Sequence, residues 1–425
     1  MSASAGGIRG VLQAGLFRRL LIGQAVSSLG DWVGTFALVA RTFELSGGSP
    51  TAVGAMLVLR LLPPLIASPM GGILADRLDR RVLLVATNLT SAGLFAVAPF
   101  LSLVPLYVMA FFAEFLLLLG QPARDATIPE LVPSRALPQA NGLVLGSSYG
   151  LLPVGAALFS GFRLAFDHLP SWFPFAEALR DSPTVFAFFF DAATFVFAAL
   201  MFAGIPMRRS MAEGSLNVFS GLGEAIEYAR RSRVILGLAV GVGVAMFGGG
   251  VLFALGIGYI HQTLGGGEVE FGFLAALWGL GMALGLGLVR LLVREAGSEA
   301  VAFRSAVSAC GAVLIGMAFL PFTWLAFIAA LVFGMAFSTA VMLAVTIVQR
   351  EVEDRMRGRL LGGAQMLFRV GLAVGALGIG GLAESIQGLS LGPVDLDGNQ
   401  LGLLCGGAFI LLGALAARLV MHRAD

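Results

Sequence analysis

Residues 71–81 read Gly71-Gly72-Ile73-Leu74-Ala75-Asp76-Arg77-Leu78-Asp79-Arg80-Arg81, and this stretch decides the fold. It carries five charged side chains within six residues, from Asp76 to Arg81, and it lies directly between two long apolar runs. Charged groups at this density are too costly to bury in hydrocarbon. The stretch therefore predicts a tight loop at a membrane surface, between two helices that cross the bilayer.

The composition of the whole chain agrees with this interpretation. Hydrophobic residues make up 58% of the 425 residues and charged residues only 12%, whereas a soluble domain carries about 25% charged residues. We therefore expect an integral membrane protein with the lipid bilayer as its surroundings. The net charge of +2 is too small to suggest a nucleic-acid partner.

Apolar runs long enough to cross a bilayer recur along the chain. A spanning helix needs about 20 mostly apolar residues, and the joints between runs are mostly short and polar or contain Gly or Pro. The sequence predicts twelve runs, at 17–43, 51–74, 82–101, 104–123, 140–166, 184–206, 233–261, 270–293, 301–320, 322–348, 359–386 and 401–420.

The arginines predict how these runs are oriented. With the N-terminus in the cytoplasm, most of the 27 basic residues, all of them Arg, fall in cytoplasmic segments. Only Arg41, Arg163 and Arg180 fall on the opposite side, while Arg60 and Arg369 fall inside runs. This is a strong positive-inside bias, and we expect both termini to be cytoplasmic.

The chain reads as two halves joined by a linker. Residues 207–232 form the longest cytoplasmic connection, which predicts a six-helix bundle at 1–206 and a second at 233–425. The two halves resemble each other weakly. In each half, one stretch leads from the fourth apolar run through a charged loop into the fifth, and these stretches are Gly120–Asn141 and Gly334–Gly363. Such repeats are typical of secondary transporters. The predicted fold class is all-α, with twelve transmembrane helices in two pseudo-symmetric bundles.

The charged loop resembles the loop between helices 2 and 3 of major facilitator superfamily transporters, written G-x-x-x-D-R-x-G-R-R. Gly72, Asp76, Arg77, Arg80 and Arg81 match this pattern, and Asp79 stands where many members have Gly. The resemblance implies that these six residues form a cytoplasmic gate. We expect their charges to pair with the inner ends of neighbouring helices, including the acids at 351–354 and the arginines at 355–359.

Other segments resemble the macrolide-efflux and enterobactin-exporter branch of that family. They are 17–31, the loop Gly120–Pro133, and Arg357-Gly358-Arg359. This branch implies proton-coupled export from a multi-pass protein of the bacterial inner membrane. Two features depart from drug–proton antiporters: the fourth run has Glu114 and no Arg, and the fifth run keeps Gly142, Gly146, Gly150, Pro153 and Gly155 without the adjacent Gly-Pro.

Ionisable residues inside the runs are the candidate proton-coupling or cavity charges, because such groups are costly in a membrane. They are Asp31, Arg60, Glu114, Asp191 and Arg369. Asp31 and Arg60 lie at similar predicted depths, so they form either a responsive cavity pair or a fixed ion pair. Glu114 lies among phenylalanines, which suits a proton carrier because desolvation disfavours the charged form; a hydrogen-bonded packing role is the alternative.

Aromatic residues near these charges are the candidate substrate contacts, although core-facing or lipid-facing positions are equally consistent with the sequence. They are Trp32, Phe36, Phe111, Phe115, Tyr149 and Trp278. We expect no cofactor, no metal site and no enzyme activity, since the three histidines are dispersed. Glycine-rich faces such as Gly237–Gly248 and Gly279–Gly287 predict close helix packing.

The predicted function is secondary transport by a monomer, with protons and a small molecule as partners. Proton-coupled efflux of amphiphilic compounds by alternating access is the main hypothesis. Two alternatives remain open from the sequence. One keeps the fold and changes the cargo to a lysophospholipid or a metal ion, and the other is a membrane receptor or assembly protein that does not transport.

Overall fold

The structure is a computed structural model. It describes residues 14–64, 67, 70, 74, 78–170, 172, 177, 183–207, 227–228, 230–292, 299–352, 354–386, 390–391 and 394–422. These residues are almost entirely helical, as expected for a backbone that must satisfy its own hydrogen bonds in lipid. The helices are α1 Gly15–Leu45, α2 Pro50–Leu61, α3 Arg80–Val97, α4 Leu103–Leu131, α5 Leu137–Tyr149, α6 Leu152–Asp167, α7 Pro183–Ala203, α8 Arg233–Gly258, α9 Glu268–Leu292, α10 Glu299–Met317, α11 Thr323–Glu351, α12 Asp354–Ser385 and α13 Gly398–His422.

Among the described residues, ten helical segments are long and apolar enough to cross a membrane. One of them, Gln139–Asp167, joins α5 and α6, so the predicted run 140–166 is a broken helix. The break falls at Gly150 and Leu151, and α6 restarts with a proline in its first turn, where a missing N–H costs nothing. Together with α1 and α2, these segments correspond to the twelve predicted runs, so the all-helical fold class is confirmed.

Short non-α elements separate the helices. Two 3₁₀ turns cover Ala98–Phe100 and Ser134–Ala136, and a π-helical turn, Tyr259–Thr263, extends α8. Ser390–Leu391 and Val394–Asp395 form a small antiparallel ribbon between α12 and α13. Within the described part of the chain, this ribbon is the one departure from helical secondary structure.

Contacts divide the chain into two compact units. The first unit contains Met1–Arg41 and Leu62–Leu216, and the second contains Thr42–Leu61 and Asn217–Asp425. This division differs from the predicted halves at residues 42–61, which pack within the second unit. There α2 lies against α12, and a side chain on Gly54 would come within 2.5 Å of the Ala376 carbonyl oxygen.

Glycine also allows close packing deeper in the second unit. Gly281 and Gly285 of α9 lie directly against the α11 backbone at Leu331 and Met335. Gly334 of α11 lies in the same way against Trp278 of α9. Small residues that let backbones touch are the usual means of helix association in membranes, so these glycines are packing residues.

A polar cluster holds the α1–α2 turn within the second unit. Gly47 and Gly48 have φ of +67° and +89°, a backbone conformation that favours glycine. The Gly48 carbonyl accepts a hydrogen bond from Gln262 Nε2 at 3.1 Å. Ser49 Oγ donates to Glu384 Oε2 at 2.7 Å. The end of this turn that leads into α2 is therefore tied to the π-helical extension of α8 and to α12 of the second unit.

Candidate functional site

Asp191 is the most deeply buried carboxyl among the described residues, with 0% of its surface exposed. It lies near the middle of α7 and packs against Gly30 and Gly34 of α1. A methyl group on Gly30 would lie 2.6 Å from Asp191 Oδ1, and one on Gly34 would overlap Oδ2. The glycines are one helical turn apart on the same face of α1, so together they leave a groove that the carboxylate fills.

Two neighbours complete this carboxylate groove. Thr194 Oγ1 donates to the Asp191 carbonyl at 2.7 Å and approaches Oδ1 at 3.3 Å. The Phe95 ring of α3 stacks on Phe195 with centroids 5.6 Å apart, and it lies 3.0 Å from the position of a methyl group on Gly34. Asp191 is thus enclosed by α1, α3 and its own helix, where a charge is expensive and a change of protonation has a large energetic effect.

A polar cavity lies in the same unit, between α1, α3, α4 and α7. It is small and partly open, with a volume of about 30 Å³, which is room for roughly two water molecules. Seven of the thirteen lining residues carry a hydroxyl, amide or guanidinium group, which suits water rather than lipid. The lining residues are Gln24, Ser27, Leu84, Thr87, Asn88, Ser91, Leu116, Leu117, Gly120, Gln121, Arg124, Phe195 and Phe202.

Several cavity side chains are fixed by hydrogen bonds to their own or neighbouring helices. Gln24 Nε2 donates to Ser28 Oγ at 2.8 Å and reaches Ser148 Oγ of α5 at 3.3 Å. Asn88 Nδ2 donates to the Leu84 carbonyl at 2.8 Å. Arg124, with 12% of its side chain exposed, pairs with Asp125 at 2.9 Å. This pair balances the positive charge that Arg124 brings to the cavity lining.

The described part of the charged loop has a local role at the start of α3. Asp79 caps the helix, and its Oδ1 accepts from the backbone N–H groups of Arg81 and Val82. Arg80 pairs with Glu130 of α4, with Nη1 and Oε1 2.9 Å apart. Arg81 is exposed. Gly72, Asp76 and Arg77 lie outside the described residues, as do the side chains at 353–359, so their predicted pairing stays a prediction.

The remaining candidate charges are less buried than Asp191 or lie in the other unit. Asp31 and Glu114 are half-buried in the first unit. Arg60 is 9% exposed and belongs to the second unit, so its pairing with Asp31 stays a prediction. Arg369 of α12 is half-buried. The roles of these four residues remain hypotheses.

Most candidate substrate contacts pack against other parts of their own unit. Trp32 Nε1 donates to the Ser148 carbonyl at 2.9 Å, and Phe36, 1% exposed, approaches Phe159 at 6.4 Å. Phe111 and Phe115 stack at 6.5 Å. The Tyr149 side chain lies outside the described residues.

Trp278 differs from these aromatic residues because it combines burial with an unused donor. It is 5% exposed and contacts Phe253, Phe333 and Phe337. Its buried Nε1 has no hydrogen-bond partner among the described residues. An unsatisfied buried donor is unusual in a protein, so Trp278 keeps its place as a candidate contact for cargo.

Sequence reasoning identified Asp191 but missed the cavity beside it. The overlooked residues are small or uncharged polar groups, which are common in membrane helices. Their spacing was the available signal: Ser27 lies three residues after Gln24 on α1, and Ser91 lies three residues after Asn88 on α3. Each pair therefore shares one helix face. The described residues contain no group of three or more His, Cys, Asp or Glu suited to a metal ion.

Comparisons with known proteins agree with this architecture. The family model described as Major Facilitator Superfamily matches residues 20–376. An uncharacterized MFS-type transporter, YfiS, of Bacillus subtilis (strain 168) is 27% identical over 411 residues, covering 93% of this chain and 91% of the relative.

Solved structures share the fold at low sequence identity. The nucleoside transporter NupG has a TM-score of 0.74 at 15% identity, covering 96% of this chain and 99% of that one. A bacterial homolog of the human lysosomal transporter Spinster, in an inward-facing and occupied conformation, has a TM-score of 0.72 at 15% identity, with 96% of each chain covered.

Proposed function

Because the chain belongs to the Major Facilitator Superfamily, we propose that it is a secondary transporter that couples proton movement to the export of amphiphilic small molecules. Drugs and siderophore-like compounds are the expected cargo, and the protein lies in the bacterial inner membrane with both termini in the cytoplasm. Membership of the family supports transport. Proton coupling and the cargo class are proposed from individual residues of the chain.

The main support for proton coupling is the complete burial of Asp191 in the middle of α7. A carboxylate in this position interacts with the α1 backbone at Gly30 and Gly34, whereas the protonated acid is neutral. Gain or loss of the proton therefore changes the free energy of the α1–α7 contact. A shift of a few kcal/mol is enough to reverse the populations of two nearly equal conformations.

The direction of transport and the cargo class are supported by sequence. Residues 17–31 and the loop Gly120–Pro133 resemble the exporter branch of the family. The aromatic residues Phe111 and Phe115 stack on α4, and Trp278 provides a buried N–H in the second unit. Flat apolar surfaces with few hydrogen-bonding groups suit amphiphilic compounds.

The proposal is tested with purified protein in liposomes that carry an imposed pH gradient. Cargo is first selected from a panel of amphiphilic dyes, a siderophore, a nucleoside and a lysophospholipid by thermal stabilisation of the protein. We expect wild-type protein to move the selected compound when the gradient is present. We expect Asp191→Asn to lose gradient-driven movement while the compound still stabilises the protein against heat.

Matched variants separate the candidate carboxyls. Asp31→Asn and Glu114→Gln test the two other acids in the first unit. Glu227→Gln is the control, because Glu227 is an exposed acid paired with Arg231. If wild-type transport ignores the pH gradient, proton coupling is wrong. If no compound in the panel is moved, the exporter hypothesis is wrong.

A further inference from the structure

The polar cavity of the first unit ends close to Asp191. Phe195 lines the cavity and lies four residues after Asp191 on α7, about 6 Å along the helix axis. Ser27 lines the cavity and lies three residues before Gly30, about 4.5 Å along α1. Ser91 lines it and lies four residues before Phe95. The residue separations along α7, α1 and α3 therefore each put the cavity about one helical turn from the carboxylate groove.

We propose that this cavity holds the water through which protons reach Asp191 from the membrane face where α3 begins. This inference rests on the proposed function and adds to it the path by which protons reach Asp191. A proton passes from a hydronium ion to the Asp191 carboxylate, which leaves a carboxylic acid and a water molecule. Return of the proton to water along the same route regenerates the carboxylate, so no other reactant is needed.

The chemistry of the lining fits this role. Serine and threonine hydroxyls both donate and accept hydrogen bonds, as do the amides of Gln24, Asn88 and Gln121. A polar cavity of about 30 Å³ with several such partners is large enough to hold ordered water. The Arg124–Asp125 pair keeps the cavity mouth electrically balanced, so the mouth does not repel a hydronium ion as an uncompensated arginine would.

The last step of the route passes Thr194. Its hydroxyl lies 3.3 Å from Asp191 Oδ1, and a methyl group on Gly30 would overlap the same hydroxyl. The lack of a side chain at Gly30 therefore lets both the Thr194 hydroxyl and the carboxylate lie directly against α1.

The helix segments around Asp191 are poor in ionisable side chains. Along 82–97 of α3 and the rest of α7, the sequence contains no ionisable side chain. On α1 the neighbouring ionisable residue is Asp31, and on α6 Arg163 pairs with Asp167. Asp31, which follows Gly30 in the sequence, is therefore the ionisable residue of α1 that lies nearest to the groove along the chain.

The test measures how fast the Asp191 proton exchanges, which does not require transport. Infrared spectra of the protein in lipid are recorded in H₂O and after transfer to D₂O, and the carboxylic-acid band that Asp191→Asn removes is assigned to Asp191. Thr87→Val and Asn88→Leu together remove two of the seven polar side chains that line the cavity, at nearly constant volume. We expect this double variant to slow deuterium exchange of the Asp191 band by about tenfold or more, because each lost hydrogen-bonding step raises the barrier to proton transfer.

The control is Thr346→Val on α11, which removes a similar threonine hydroxyl bonded to its own helix in the other unit. It should leave the exchange rate unchanged. If the double variant does not fold, Thr87→Val alone is measured, with a smaller slowing expected. Unchanged exchange in the variant that folds overturns the cavity route but leaves proton coupling intact. Absence of any Asp191 band at all pH values overturns the route as well, whereas failed transport with slowed exchange overturns only the proposed function.

Discussion

Two ion pairs, one in each unit, join equivalent helix ends with opposite polarity. In the first unit, Arg80 is the first residue of α3 and pairs with Glu130, the penultimate residue of α4. In the second unit, Glu299 is the first residue of α10 and pairs with Arg350, the penultimate residue of α11. The geometry is repeated between the units, but the cation and the anion have changed places.

The difference matters because a helix is electrically asymmetric. Its N-terminus favours negative side chains and its C-terminus favours positive ones. Glu299 and Arg350 agree with this preference at both ends, whereas Arg80 and Glu130 oppose it at both ends. The first-unit pair therefore depends more on direct contact between its two charges, whereas the second-unit pair is also stabilised by the helix ends at which its charges lie.

The largest expected effect on stability comes from removing the more exposed partner of each ion pair. Glu130→Ala leaves Arg80, which is 8% exposed, at an unfavourable helix end. We expect a loss of about 2 kcal/mol of stability, less than the roughly 3–5 kcal/mol of a fully buried pair because Glu130 is partly exposed. Arg350→Ala should cost about half as much, because Glu299 remains at a helix end that favours it.

Thermal unfolding in detergent measures these losses. Glu227→Ala, in an exposed pair, is the control and should cost less than about 0.5 kcal/mol. Equal losses for Glu130→Ala and Arg350→Ala would contradict the distinction between the two pairs.

Exchanging the two charges within each pair should change stability less, and in opposite directions in the two units. Arg80→Glu combined with Glu130→Arg keeps the pair and aligns it with the helix ends, so we expect stabilisation of about 1 kcal/mol. Glu299→Arg combined with Arg350→Glu should destabilise by a similar amount. The comparison is made by melting temperature at low and high salt, since salt screens the effect. Changes of the same sign in both units would argue against helix polarity as the cause.

The smallest effect is expected when only the negative charge of Asp79 is removed, because this charge offsets Arg80 at the start of α3. Asp79→Asn keeps an oxygen that can cap the helix but removes the charge, and should cost about 0.5 kcal/mol. Asp79→Ala also removes the cap and should cost about 1 kcal/mol. The same unfolding measurement distinguishes these variants. If Asn and Ala behave alike, the cap contributes nothing and only the charge matters.

Much of the fold was predictable because membrane helices leave a strong local signal. The predicted run 184–206 corresponds to Pro183–Ala203, and the predicted run 401–420 lies within Gly398–His422. The break at Gly150 was not predicted, because glycine and proline are tolerated inside membrane helices and their presence does not require a break. The packing of residues 42–61 within the second unit was not predicted either, because it depends on contacts with α12, far along the chain.

The candidate site was predictable only in part. Asp191 stood out as a charge inside an apolar run, but Gly30 and Gly34 were two among 58 glycines. Nothing in their spacing indicates which helix they face. The Glu130 partner of Arg80 was also missed, since the sequence drew attention to the acids near 351–354. Partners on different helices are chosen by three-dimensional packing, which a single sequence does not encode in its periodicity.

The carboxylate groove also constrains how this chain can change over evolutionary time. Because the Asp191 oxygens occupy the space that methyl groups on Gly30 and Gly34 would need, replacing either glycine first creates a steric clash. Replacing Asp191 first by a smaller residue leaves a vacant space between two helices. The three positions are therefore expected to vary together among descendants of this sequence, and Asp191 is expected to disappear only in lineages that have also filled the groove.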